Sequence, residues 1–498
     1  RARALDPAGL EQLVADQLAV NAGRGRDGLR ATIDRSHDLL TPHEQMMFRR
    51  LSVFTGGWTL AAAEQVCRGT TLIGVDIAEV LTSLVDKSLV SVRHDAVATR
   101  YSMLEVVRAY AAELLRDSED GEPARRGHRR WLLDLATRAQ PAFDTPALQE
   151  WLARIDAEHA NLLAALGIPL REVSAREEQL AILTSVEPYW NFRGRPELTL
   201  LLAQASDDSA GCADHLRARV ALELGDRQRG TGAGRALLDQ AVMLAAEAPA
   251  TRAHALALLA EDCATADPHR CRELLAQARA ICETLDDPVL DLRVSSHEAN
   301  ALADLGAENG DLDEAARAYL TLASAAREVG SIRREFFGLI NLALIECFDR
   351  HDPATAETWA DRAAEVVAGL GERSNMAFVH AVHSLAAIER GDPTTGRLQL
   401  EQALAIAVDT GFAGHAQACA IAMAALLVEE GDLDGAAQAC GFAYAVDGDD
   451  DYCREQVQPW FDLVSASLDE ASVRRLVKRG SSLPLSSLSR LRGAVEVG

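Results

Sequence analysis

The sequence predicts a mainly α-helical protein, with a winged-helix-like domain carrying a small β-hairpin followed by an α-solenoid of helix-turn-helix repeats. Three observations carry that expectation. Helix formers dominate and aromatics make up only 5% of residues. A punctuated run of helices ends in two short strands before residue 118. Beyond residue 210 a turn signal returns about every 40 residues.

The chain has 498 residues, 48% of them hydrophobic, enough for two or three domains. A formal net charge of −25 repels phosphate backbones, so any nucleic-acid contact must be local. Lysine occurs only at Lys87 and Lys478, leaving little for a lysine-based mechanism. Nine scattered cysteines (Cys67, Cys212, Cys263, Cys271, Cys282, Cys347, Cys419, Cys440, Cys453) show no repeated spacing, as expected of buried thiols in a reducing, cytoplasmic setting. The longest nearly apolar run, around Ala418 to Val428, is far short of the roughly 20 residues of a membrane span. The chain opens on Arg1 without a signal-peptide pattern, as a fragment or processed product would.

Residues 1–27 read as the end of a helical lid whose body is missing. In 28–118, the segment LRATIDRSHDLL is helical, and Thr41-Pro42-His43-Glu44 supplies an N-cap, a proline at N1 and an acid at N3 for the next helix. Thr59 caps LAAAEQVC, Ile77 to Lys87 is amphipathic, and Ser88–Val92 and Arg100–Met103 form a hairpin, which completes a winged helix. A polar break at Asp117 to Pro123 opens a helical connector, 119–209, in which Trp131, Trp151 and Trp190 read as core anchors.

The array spans 210–464. Turns fall at Gly225-Asp226, Asp267-Pro268, Gly310-Asp311, Asp352-Pro353, Asp392-Pro393 and Gly431-Asp432, with steps between aspartates of 41, 44, 41, 40 and 40 residues. Four residues after each Asp stands a small residue (Gly230, Cys271, Ala315, Ala356, Gly396, Ala436), as close helix–helix approach requires. The helices before the turns, roughly 294–308, 335–349, 375–389 and 415–429, are expected to be exposed inner helices lining a groove. The Ser-rich segment 465–498 is expected to be a flexible tail.

The repeats, with their G-D-L-x-x-A turns, resemble tetratricopeptide-like arrays of the longer form found in MalT-type and LuxR-type regulators. The blocks LRATIDRSHDLL, EQMMFRRLSVFTGGWTLAAAEQVC, LTSLVDKSLV and RYSMLEVVRAYAAELL resemble the winged-helix segment of bacterial STAND-type (NB-ARC-like) ATPases. EWLARIDAEHANLLAAL (Glu150 to Leu166) is similar to the helix that joins winged helix and repeats in AfsR-like and LuxR-like regulators. The resemblance implies a nucleotide-binding domain upstream that would hold ATP or ADP. No GxxxxGK[ST] pattern exists in this chain, so no catalytic residue and no cofactor is expected here, whereas the full-length protein is expected to be an ATPase or nucleotide cyclase. It further implies that Met103-Leu104-Glu105 occupies the place of a Met-His-Asp-type motif whose His approaches ADP. Leucine cannot donate to phosphate, so interdomain packing is the first reading of this triplet.

Other candidates weigh less. The helix Ile77 to Lys87 offers Asp76, Glu79 and Asp86 against Lys87, so direct DNA binding is not expected. The cluster Arg125-Arg126-Gly127-His128-Arg129-Arg130 reads as a solvated helix end beside Glu119, Asp120 and Glu122. Cys263, His269 and Cys271 lack a fourth ligand, so no metal is expected. His37, His43, His94 and His159 have no assignable nucleophile. The expected function is signal sensing and regulation: the repeats bind a protein or small-molecule inducer, and the winged helix relays this to the absent nucleotide-binding domain, with no membrane involved. The alternative is a free-standing protein-interaction scaffold without nucleotide control.

Overall fold

The computed structural model describes residues 26–491 apart from 68–73, 95–97, 146, 194–196, 310–311, 369–374, 411–412 and 447–450. The expected lid remnant therefore lies almost wholly outside the described residues. Contacts divide the chain into two compact units, Arg1–Ala136 with Arg154–Ile182, and Thr137–Ala153 with Leu183–Gly498. The division falls inside the stretch 119–209 read as a connector, whose parts belong to different units.

The first unit begins with helices α1 (Arg26–Asp38), α2 (Pro42–Leu51), α3 (Leu60–Cys67) and α4 (Ile77–Asp86), then strands β1 (Ser91–His94) and β2 (Thr99–Ser102) and helix α5 (Glu105–Arg116). Thr41 and Glu44 close a reciprocal capping box at the start of α2. Glu44 also accepts from Ser83 Oγ and Lys87 Nζ, tying α2 to the end of α4. The strands pair antiparallel with Ser91 opposite Ser102 and His94 opposite Thr99. Trp58 adds a bridge to Tyr101 on the other edge of β2, which completes the wing. Met47, Phe48, Leu51, Phe54, Trp58, Leu81 and Leu84 form the dry centre. Phe54 stacks on Trp58 and meets Trp131 edge-on at 5.7 Å, so Trp131 is a core anchor.

Helices α6 (Gly121–Ala139), α7 (Leu148–Leu166) and α8 (Val173–Ser185) follow, with a 3-10 turn at Gln140–Asp144. Then come α9 (Glu187–Arg193) and α10 (Glu197–Asp207). Trp190 is buried and Trp151 half-buried.

The array pairs α11 (Asp214–Arg227) with α12 (Gly232–Leu244), α13 (Pro249–Asp262) with α14 (Pro268–Leu285), and α15 (Pro288–Asn309) with α16 (Asp313–Val329). It continues with α17 (Ile332–Phe348) and α18 (Pro353–Ala368), α19 (Met376–Glu389) and α20 (Pro393–Thr410), α21 (Ala413–Glu429) and α22 (Leu433–Val446). Each odd-numbered helix packs on the next odd-numbered one, whereas the even-numbered helices pack chiefly on odd ones. The odd helices are therefore the inner layer of a curved stack.

The recurring Asp is a helix N-cap: Asp267, Asp352, Asp392 and Asp432 each accept from the backbone N–H three residues on. After three of them comes Pro268, Pro353 or Pro393 at the first helical position, where no N–H is needed.

Three expectations are corrected. Gly225-Asp226 is not a turn, because α11 runs on to Arg227. Consequently Gly230 is not a close-packing residue but an exposed turn glycine at φ +76. Gly234 fills that role, since a Cβ there would lie 2.0 Å from the Gln228 carbonyl oxygen. Second, the inner helices are not exposed. In α21 the residues from Cys419 to Leu427 are all buried, because a helix with apolar residues on every side must be covered on every side. Third, 465–491 is not a loose tail. Helices α23 (Asp451–Ser467) and α24 (Glu470–Gly480) and a 3-10 turn at Leu485–Arg490 close the array, with Asp469 capping α24. Val473, Leu476 and Leu488 are buried in the core that runs through α19 to α22.

Candidate functional site

Two polar constructions stand out from the apolar packing. The first, in the winged-helix unit, binds the wing to α7. Arg100 on β2 is buried and pairs with Glu158. Its Nη2 also donates to the carbonyls of Gly56, Gly57 and Ala157. Asn161, one turn beyond Glu158, is fully buried. Its Oδ1 accepts from Thr55 N (2.9 Å) and Gly56 N (3.3 Å), and its Nδ2 donates to Gly57 O (2.9 Å) and Glu158 Oε2 (2.6 Å). Gly57 is irreplaceable here: at φ +78 a Cβ would meet the Tyr101 carbonyl oxygen at 2.6 Å. Burial outweighs Arg100 and holds the Glu158 carboxyl above its ordinary range.

The second is a network of ionisable groups centred on the inner helices α11, α13, α15 and α17, joined by Glu187 of α9, Arg229 just after α11 and Tyr319 of α16. Glu261 takes the His297 Nδ1–H (2.7 Å), the Asn300 amide (3.0 Å) and Arg229. Tyr319 OH in turn donates to Asn300 Oδ1 (2.8 Å). Burial alone would raise Glu261, but Arg229, His297 and Asn300 pull it down to about 2. His297 Nε2 lies 3.2 Å from His254 Nε2. Burial, with Arg293, His297, Arg334 and Arg229 nearby, pushes His254 well below the usual imidazole range, so it is the neutral partner. Arg219 donates to the Thr184 carbonyl at 3.1 Å and Arg334 to Ser296 Oγ at 2.7 Å. Burial raises Glu187 and, further, Glu223. By contrast the buried residues of α19 and α21 are mostly apolar, Val379, Val382, Leu385, Met423 and Leu426 among them, with His383 and His415 as the titratable groups that burial pushes down.

The residues singled out in the sequence fall elsewhere. Met103-Leu104-Glu105 leaves β2 and opens α5, with Leu104 65% exposed and Glu105 paired to Arg108. Cys271, Ala315, Ala356 and Ala436 are fully buried, and a Cβ on Gly396 would press to 2.7 Å of Ile388 Cγ1. Arg125–Arg130 is not a free basic patch. Arg129 is buried between Glu122 and Glu178, Arg130 pairs with Glu178, and His128, pushed down to about 3 by burial and Arg129, packs edge-on to Phe54. Cys263 and Cys271 are buried, whereas His269 is exposed beside Glu273. Among the described residues no group of three side chains could hold a metal ion. His37 packs against Phe48 and Tyr110, His94 pairs with Thr99 across the hairpin, and His43 is exposed. On α4 the exposed positions include Glu79, Thr82 and Asp86, an acidic face.

Three helices with a two-stranded wing, followed along the chain by a stack of helix pairs, define the class: a winged-helix module and a tetratricopeptide-like array. Residues 40–116 match the family described as a winged helix-turn-helix domain. A protein of Mycobacterium tuberculosis (strain H37Rv) named as an HTH-type transcriptional regulator is 39% identical over 199 residues, 38% of this chain and 22% of that protein. An uncharacterised protein of the same strain is 38% identical over 105 residues, 21% of this chain and 26% of that one. The chain thus spans about a fifth of the length of the first of these relatives. Among solved structures it is similar to a signal transduction ATPase with numerous domains (STAND) with a tetratricopeptide repeat sensor from Pyrococcus horikoshii (TM-score 0.54, 14% identity, 89% of this chain and 66% of that one). It is also similar to Rap protein complexed with competence and sporulation factor (TM-score 0.50, 12% identity, 73% and 99%). At these identities the likeness is one of fold. No helix among the described residues is long and apolar enough to cross a membrane.

Proposed function

We propose that this chain is the sensing and relaying portion of a larger STAND-type transcriptional regulator of the AfsR, LuxR or MalT kind. An inducer or protein partner binds the array, and the winged helix passes the change to a nucleotide-binding domain encoded elsewhere in the full protein. The carrying observation is the network around Glu261, His297 and His254. Burying so many ionisable groups is costly, and the stack stands with far fewer of them further along, where α19 and α21 carry chiefly His383 and His415. The relative named as a transcriptional regulator and the repeat-sensor neighbour support the same reading. ATP or ADP would sit in the other domain, and the exposed Leu104 and Val106 at the start of α5 would pack against it. The acidic face of α4 argues against DNA binding by this winged helix, so the output belongs to a further domain.

The rival is a free-standing scaffold. The reading frame of the full-length protein separates the two: a P-loop strand and helical lid upstream of Arg1 support the regulator, and a frame without them overturns it.

A further inference from the structure

The winged-helix unit holds a cavity of about 240 Å³ between α5, α6, the end of α7 and the segment that follows α2. Val53, Ala112, Leu115, Ala165, Ile168 and Leu170 supply most of its apolar surface. Its charged lining is of one sign: Arg108, Arg116, Arg125 and Arg129, with no Asp or Glu among them. In a chain of net charge −25 this reverses the prevailing charge. Two of the four cations are compensated from outside the lining. Arg108 pairs with Glu105, and Arg129 lies between Glu122 and Glu178. Arg116 and Arg125 make no hydrogen bond or ion pair among the described residues. Arg116 is exposed, whereas Arg125 is half-buried, its Nη1 lying against the start of α6, 3.3 Å from where a Cβ on Gly121 would stand. A guanidinium withdrawn from water without directional partners costs free energy that a free surface would spare it.

His128 repeats the pattern on the same cavity. It is 4% exposed, and neither ring nitrogen makes a hydrogen bond among the described residues, Nε2 being wholly enclosed. A neutral imidazole carries one N–H, and a buried donor without an acceptor is costly. Two unpartnered guanidinium groups and an unpartnered imidazole therefore line one partly apolar cavity. The planar guanidinium fork fits a carboxylate through two parallel N–H bonds. An apolar cavity of about 150 Å³ holds a benzene molecule, so this one takes a single ring or short chain together with its carboxylate. Inorganic phosphate would meet the cations and leave the apolar wall uncovered.

We propose that this cavity binds a small amphipathic carboxylate, its apolar body against Ala112, Leu115 and Ile168 and its oxygens on Arg125, with Arg116 and His128 as further donors. The site is independent of whatever the array binds, so the failure of either reading leaves the other standing. The test is calorimetric titration of the 498-residue chain with benzoate and, separately, with benzyl alcohol and inorganic phosphate. Saturable binding of benzoate is expected, with the alcohol and phosphate each weaker by about tenfold or more. Arg125→Gln should weaken benzoate by about tenfold or more, and Arg126→Gln, on the same helix but outside the lining, should leave it unchanged. Arg125 has no bonded partner to lose, so Arg125→Gln should keep the thermal midpoint of the parent chain. Ala112→Leu fills the cavity while keeping every cation, and should abolish binding by a route that leaves the charge intact. No saturable binding of benzoate, equal or tighter binding of benzyl alcohol or phosphate, or benzoate binding unaltered in Arg125→Gln or in Ala112→Leu overturns the inference.

Discussion

Replacing Asn161 by Ala should be among the most damaging single changes in the winged-helix unit. Its amide satisfies the N–H groups of Thr55 and Gly56 and the carbonyl of Gly57 where the chain turns into the wing, and the side chain is fully buried. Alanine leaves two backbone donors in a dry site. Each orphaned group costs about 1–3 kcal/mol, while Gly57 O keeps its bond from Arg100. A loss of roughly 2–5 kcal/mol is expected, including a small cavity term. Urea unfolding of the two chains, followed by tryptophan fluorescence, reads the change, since Trp58 and Trp131 lie in the same core. A loss below about 1 kcal/mol would refute the reasoning and show that water or a local shift replaces the amide.

Further outcomes follow from other sites. Bonds from Lys87, Ser83 and Thr41 overcome burial and hold Glu44 at about 2. A carboxyl depressed in the folded state stabilises above its ordinary value and loses that stabilisation as pH falls toward 2, so Glu44→Gln should cost roughly 2–3 kcal/mol at pH 7 and almost nothing near pH 2. Equal costs at both pH values would contradict this. His351 holds φ +52 where the equivalent turns have Gly391 and Gly431, so His351→Gly should raise stability by about 0.5–1 kcal/mol, despite losing an exposed pair with Glu389. A lower urea midpoint would argue otherwise. Gly396→Leu should destabilise by about 1–3 kcal/mol or more, because the new side chain drives into Ile388 and the carbonyl of Ser384. Calorimetry with ATP should give no saturable heat for this chain, and micromolar binding would mean that a nucleotide site was overlooked.

The repeat was legible because its chemistry is local: an N-cap Asp, often followed by Pro, marks the start of each outer helix. The first repeat was misread for the same reason, since its cap is Thr231 rather than Asp226, which shifts the close-packed position to Gly234. The closing helix α24 was hidden by serine-rich composition, although Val473 and Leu476 lie three apart on one face. The Arg100–Glu158–Asn161 clamp could not be read, because Arg100 on the wing stands 58 residues before Glu158 on α7. The segment holding Glu158 and Asn161 was recognisable while its role was not. The inner network was equally diffuse. One signal was present: His254 and His297 are 43 residues apart, one repeat, so aligning the inner helices would have stacked two imidazoles.

The most direct test of the proposed sensing by the array is a transcriptional reporter responding to the full-length protein carrying Glu261→Gln, with folding checked by circular dichroism. The substitution keeps shape and removes the charge that holds Arg229 and His297. The account predicts a folded protein whose response to its signal is lost or locked on. A response matching that of the parent protein would contradict it.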